Sequence, residues 1–327
     1  GQTDHANDGD DVILTITSNE AIAAPSCVFQ SGGQNVATVN GSDTSSGAGT
    51  GWTCTTTMDA DIHTDGLVTF TIDASDLAGN ALSTVSATND QSSVTFDTTS
   101  PTLTAVSIAS NVIGQTDHAN DGDDVILTIT SNEAIAAPSC VFQSGGQNVA
   151  TVNGSDTSSG AGTGWTCTTT MDADIHTDGL VTFTIDASDL AGNALSTVSA
   201  TNDQSSVTFD TTSPTLTAVS IASNVIGQTD HANDGDDVIL TITSNEAIAA
   251  PSCVFQSGGQ NVATVNGSDT SSGAGTGWTC TTTMDADIHT DGLVTFTIDA
   301  SDLAGNALST VSATNDQSSV TFDTTSP

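Results

Sequence analysis

Ser93-Val94-Thr95-Phe96-Asp97-Thr98-Thr99-Ser100-Pro101-Thr102-Leu103-Thr104-Ala105-Val106 reads as a closing strand, a very short hinge and an opening strand. The same words return from Ser206 to Val219, and the chain stops inside a third copy at Pro327. Gly1 recurs as Gly114 and Gly227, so the period is 113 residues, and no substitution separates the copies where they overlap. That period is far longer than the roughly 20–50 residues of a solenoid repeat. It suits one small globular domain with its own core. The reading gives three tandem domains, residues 1–100, 101–213 and 214–327. The first is expected to lack the opening strand that Thr102–Ile113 supplies to the second.

Outward from the hinge, one period resolves into short alternating runs. Val12-Ile13-Leu14-Thr15-Ile16-Thr17 is β-branched, with Val12, Leu14 and Ile16 on the inner face. Ser26–Gln30 carries Cys27 and Phe29 on one face and turns at Gly32-Gly33; Val36–Val39 is a weaker strand. Trp52, Cys54, Thr56 and Met58 alternate with outward threonines, and Val68, Phe70 and Ile72 do the same in the next run. Gly1–Asp11, Asn40–Gly51, Asp59–Gly66 and Ala74–Asn80 are turn and loop chemistry. No segment sustains a 3.6-residue apolar period. About seven short strands per period predict an all-β fold of tandem immunoglobulin-like antiparallel sandwiches.

Each copy carries twelve Asp, one Glu and no Lys or Arg, and the formal charge is −39. Nucleic acid needs cations that this chain lacks, and no apolar run reaches the ~18 residues of a membrane span. Two cysteines per copy at fixed spacing predict the bridges Cys27–Cys54, Cys140–Cys167 and Cys253–Cys280 and an oxidising compartment; two buried thiols are the alternative. With few aromatics the core is thin, and closing a loop of about 28 residues would contribute about 3.5 kcal/mol.

Several stretches resemble the bacterial immunoglobulin-like repeats of large secreted surface proteins. Gly9-Asp10-Asp11-Val12 through Ser18-Asn19-Glu20 is similar to their second-strand pattern. Asp65-Gly66-Leu67-Val68-Thr69-Phe70-Thr71-Ile72, Asp76-Leu77-Ala78-Gly79-Asn80 and Phe96-Asp97-Thr98-Thr99-Ser100-Pro101 match their other motifs. The resemblance implies extracellular, cell-surface adhesin stalks, extender regions or fibres. The cysteine pair is a departure from it. So is the lack of Lys, which excludes the Lys–Asn isopeptide staples of some such domains.

Calcium is the cofactor these acids suggest. In an immunoglobulin-like topology Gly1–Asp11, the loop after Val39 and Asp59–Asp65 are expected to share the pole where one domain leaves for the next. Asp59, Asp61, Asp65 and Asp97 would then meet Asp186, Asp189 and Asn193 of the following domain. A hard divalent ion with oxygen ligands would neutralise such a cluster. Solvated, turn-forming Asp is the alternative. Asp61-x-His63-x-Asp65-Gly66 begins like an EF-hand loop, but Ile72 stands where its final Glu belongs. His5 and His63 read as turn residues. Gly47-Ala48-Gly49-Thr50-Gly51 is a loop, and no G-x-S-x-G is present. The expected function is therefore mechanical and not enzymatic. A stalk of domains, each adding about 40 Å, is the first reading. A fibre in which chains associate, and a glycan- or protein-binding module, are the alternatives.

Overall fold

The computed structural model describes residues 3–326. Gly1 and Gln2 of the expected first turn and Pro327 of the last hinge lie outside them. Among the described residues there are twenty-six strands and no helix. The first repeat holds β1 (His5–Ala6), β2 (Asp11–Thr17), β3 (Ser26–Ser31), β4 (Gln34–Asn40), β5 (Ser42–Asp43), β6 (Gly51–Thr57), β7 (Gly66–Asp73) and β8 (Val94–Phe96). The second holds β9 (Leu103–Ser110), β10 (His118–Ala119), β11 (Asp124–Ser131), β12 (Ser139–Ser144) and β13 (Gln147–Asn153). It closes with β14 (Ser155–Asp156), β15 (Gly164–Thr170), β16 (Gly179–Asp186) and β17 (Val207–Phe209). The third repeats these nine as β18 (Leu216–Ser223) to β26 (Val320–Phe322).

In the second repeat a sheet of order β14-β15-β11-β9 faces one of order β10-β17-β16-β12-β13. In immunoglobulin lettering these are D-E-B-A and A′-G-F-C-C′. Each complete repeat is an immunoglobulin-like sandwich, antiparallel except where β10 runs parallel to β17. The alternating residues fill the space between the sheets. Val125, Leu127 and Ile129 of β11 meet Phe142, Ile185 and Phe209 across one core. The other strand threonines take the outer face, where β-branching suits the pleat and the hydroxyl stays wet, while Thr169 is buried on the inner face of β15.

Cys140 on β12 and Cys167 on β15 are bonded, with Cα atoms 6.3 Å apart, and Cys27–Cys54 and Cys253–Cys280 repeat the bridge. It joins strand C of one sheet to strand E of the other, whereas antibody domains bridge B to F. Trp165, two residues before Cys167, donates its Nε1–H to the Gly162 carbonyl at 3.0 Å and packs beside Pro138 and Gly154.

Three details differ from the sequence reading. His118-Ala119, within an expected turn, forms a two-residue strand because the fully buried Ala119 plugs the sheet edge. Ser42-Asp43, within an expected loop, pairs with β6. The loop after Val39 lies at the opposite pole from the one expected, beside Ala21 and Pro25. The hairpin at Gly32-Gly33 explains this, since β4 returns the chain to the pole where β3 began. Gly32, at φ +55°, abuts Thr64, and a Cβ there would lie 2.9 Å from the threonine Cβ.

In the first repeat the smaller sheet is β2-β6-β5, and among the described residues no strand pairs with the outer edge of β2.

Candidate metal centre at the repeat junction

The junction is built from short polar segments that the sandwich ends hold in place. Phe96 ends β8, and Asp97 N–H then donates to the Ala6 carbonyl at 3.0 Å, fixing the first hinge residue. Asp65 clamps the next two: Oδ1 accepts Thr98 N–H and Oγ1–H at 3.1 and 2.9 Å, and Oδ2 accepts Thr99 Oγ1–H at 2.8 Å. Pro101 is buried, and Thr102 N–H donates to Asn132 Oδ1 at 2.7 Å as the second repeat begins.

The receiving face comes from the Asp189-Leu190-Ala191-Gly192-Asn193 loop. Asp189 Oδ1 accepts the backbone N–H groups of Gly192 and Asn193 at 2.7 and 2.8 Å, and Oδ2 accepts Asn193 Nδ2–H at 2.8 Å. Asn193 Nδ2 also donates to the Asp97 carbonyl at 2.9 Å, a direct bond between repeats. The same bond joins Asn306 to Asp210 at the second junction.

These contacts gather three carboxylates, Asp97 from one repeat and Glu133 and Asp189 from the next. Each offers an oxygen within 4.8 Å of the others. Asp210, Glu246 and Asp302 repeat the cluster. That span is what two oxygens on one calcium ion reach at about 2.4 Å each. Asp189 is buried and the other two are half-buried. Burial, then the charges of Asp97 and Asp189, raise Glu133 above the ordinary glutamate value, against a lowering bond from Asn132. The donor set is all oxygen, which suits a hard cation and not a thiophilic one. In the first repeat the corresponding Asp76 and Asn80 are more open, at 2.6 Å from each other.

Of the acids expected to converge, Asp97 and Asp189 do so. Asp59 and Asp61 share an exposed turn, where Asp59 Oδ1 accepts Asp61 N–H at 2.9 Å and His63 Nδ1 accepts Asp59 N–H at 2.9 Å. Asp65 holds the hinge through its threonines, and Asp186 accepts a hydrogen bond from Thr197 Oγ1. None of these four belongs to the three-carboxylate cluster. Glu133 was not expected. Its signal was available, because it is the one Glu of its repeat and stands in the Ser-Asn-Glu motif that follows the second strand.

No family model matches the chain, and no curated protein matches it. Among solved structures, it is similar to a tetra-tandem repeat in the extending region of a large adhesion protein. The two share 20% identity over 93% of this chain and 70% of that one, with a TM-score of 0.29. Fibronectin(III)-like modules of Clostridium thermocellum CbhA match at 12% identity over 66% of this chain and 93% of theirs, TM-score 0.29. The three-domain ectodomain of mouse nectin-like molecule 4 matches at 14% identity over 95% and 96%, TM-score 0.28. The fold stated above rests on the sheet order itself. No helix among the described residues is long and apolar enough to cross a membrane.

Proposed function

We propose that the chain is part of an extracellular rod, the stalk or extender of a cell-surface adhesin, whose junctions are each stiffened by one calcium ion. The observation that carries this reading is the shared cluster of Asp97, Glu133 and Asp189, identical at both junctions and supplied from both sides. An ion held there would bind only the docked arrangement, so its binding free energy would stabilise the joint. Three like charges without a nearby cation oppose docking. One such pair at 4 Å costs about 1 kcal/mol in bulk water and more where water is partly excluded. Calcium would reverse that sign while keeping the geometry.

The work is mechanical and not catalytic, and the partners are neighbouring repeats of the same chain. Three disulfides support an oxidising, extracellular setting. Zero Lys and Arg support a chain that avoids nucleic acid. Calorimetric titration with calcium tests the reading. Two sites per chain are expected, one per junction, and the double substitution Glu133→Gln with Glu246→Gln should weaken both by at least tenfold. Absence of saturable binding, or binding that both substitutions leave intact, would contradict it.

A further inference from the structure

Each repeat carries one Asn-Gly pair, at Asn40-Gly41, Asn153-Gly154 and Asn266-Gly267, and no other Asn of the chain is followed by Gly. In an unfolded chain such a pair is chemically unstable. Without a side chain to hinder it, the Gly nitrogen attacks the Asn Cγ. It loses its proton and expels Nδ2 as ammonia, which leaves a five-membered succinimide. Water then opens either ring carbonyl to give Asp or isoaspartate. The sequence of steps needs no oxidant, reductant or enzyme.

The fold accounts both for the Gly and for what restrains the reaction. Gly154 lies against the buried Pro138, where a Cβ would fall 2.6 Å from the proline Cγ and 3.3 Å from Trp165 Cε3. Gly41 and Gly267 are enclosed in the same way by Pro25 and Pro251, at 2.6 and 2.7 Å. The attacking nitrogen is also engaged. Gly154 N–H donates to the Pro138 carbonyl at 2.8 Å, and Gly41 and Gly267 make the same bond to Pro25 and Pro251. Asn153 ends β13 and pairs with Ser139, as Asn40 pairs with Ser26 and Asn266 with Ser252, so the Asn backbone is held extended. Ring closure has to turn that backbone and bring the Gly nitrogen onto Cγ, which breaks both the strand register and the bond to the proline carbonyl. The three carboxamides are exposed to water. What the folded repeat withholds is the nucleophile.

We propose that Asn40, Asn153 and Asn266 are modification sites gated by folding, inert while a repeat is closed and converted to Asp and isoaspartate once it opens. Isoaspartate carries one extra carbon in the main chain, inserted directly before a Gly that is packed too tightly to accept a Cβ. It therefore displaces Gly154 from its place between Pro138 and Trp165, and the altered repeat cannot close as before. Each conversion also adds a carboxylate to a chain with no Lys or Arg to offset it. The pair thus leaves a permanent mark on any repeat that has unfolded, whether by heat, reduction or pulling. It does not depend on metal at the junctions.

The test incubates the whole chain at mildly alkaline pH, folded in buffer and, in parallel, reduced in denaturant. Peptide mapping by mass spectrometry and an isoaspartate assay follow the conversion. In the unfolded chain it should concentrate at Asn40, Asn153 and Asn266. In the folded chain it should run at least about 30-fold slower, since only the open fraction of repeats reacts. Asp8-Gly9 and Asp65-Gly66 can pass through the same ring, but they return without a change in mass, so the mass readout sets them apart. The triple variant Gly41→Ala, Gly154→Ala, Gly267→Ala, assayed unfolded, should convert severalfold more slowly whether or not it can fold. The proposal is overturned by equal rates in the folded and unfolded chain, by conversion spread evenly over the other Asn residues, or by an alanine variant that reacts as fast as the parent.

Discussion

Asn193 is a single amide that orders two repeats at once. Its Nδ2 reaches Asp189 within its own loop and the Asp97 carbonyl across the hinge. The Asp residues divide by what their oxygens hold. Most close local turns, as when Asp156 Oδ1 accepts Ser158 N–H at 2.6 Å and Oδ2 accepts Gly160 N–H at 2.9 Å. The side chain and backbone of Ser158 hold Asp156 below the usual carboxylate range, and Ser45 and Ser271 do the same for Asp43 and Asp269. A carboxyl lowered in the folded state contributes stability above its unfolded pKa and loses it as pH falls through the folded value. The triple substitution Asp43→Asn, Asp156→Asn, Asp269→Asn should therefore flatten the acid side of the thermal-midpoint profile. Above the carboxylate range the midpoint should drop. Calorimetric scans across acid pH check this, and an unchanged profile would count against these bonds as native contributors.

At the level of elements, the bridge between β12 and β15 ties the two sheets where aromatic content is low. Reducing the three bridges, or replacing Cys140→Ser with Cys167→Ser, should cost the repeat about 3.5 kcal/mol. For a domain of this size that lowers the midpoint by about 15–25 °C. Thermal unfolding with and without reductant reads it directly. Strands were legible wherever apolar residues alternate over several positions, as from Trp52 to Met58 or Leu67 to Ile72. The cysteine pair was legible from spacing alone. His118-Ala119 was not, because one buried alanine among Gly, Asn and Asp leaves no period to detect. At the junction, Asp97, Asp189 and Asn193 could be placed because each ends or follows a recognisable strand. Glu133 was missed because the lone Glu of the Ser-Asn-Glu motif marks the position but not its approach to Asp97, which depends on how two repeats dock.

Across the whole molecule, −39 charges meet no Lys or Arg, so every close approach of repeats must be neutralised from outside or screened by salt. The two junctions are where that demand is sharpest, since each gathers three carboxylates around a hinge from Asp97 to Pro101 or its copy. Identical repeats with identical junctions imply one angle repeated along the array, a rod when the joints are fixed and a flexible string when they are not. Small-angle X-ray scattering of the chain, in calcium and then in chelator at constant ionic strength, measures that difference. A stiff particle with a maximum dimension of about 120 Å is expected in calcium, from three repeats of about 40 Å, and a broader, more flexible distribution after chelation. A compact particle, or profiles that superimpose in the two conditions, would contradict it.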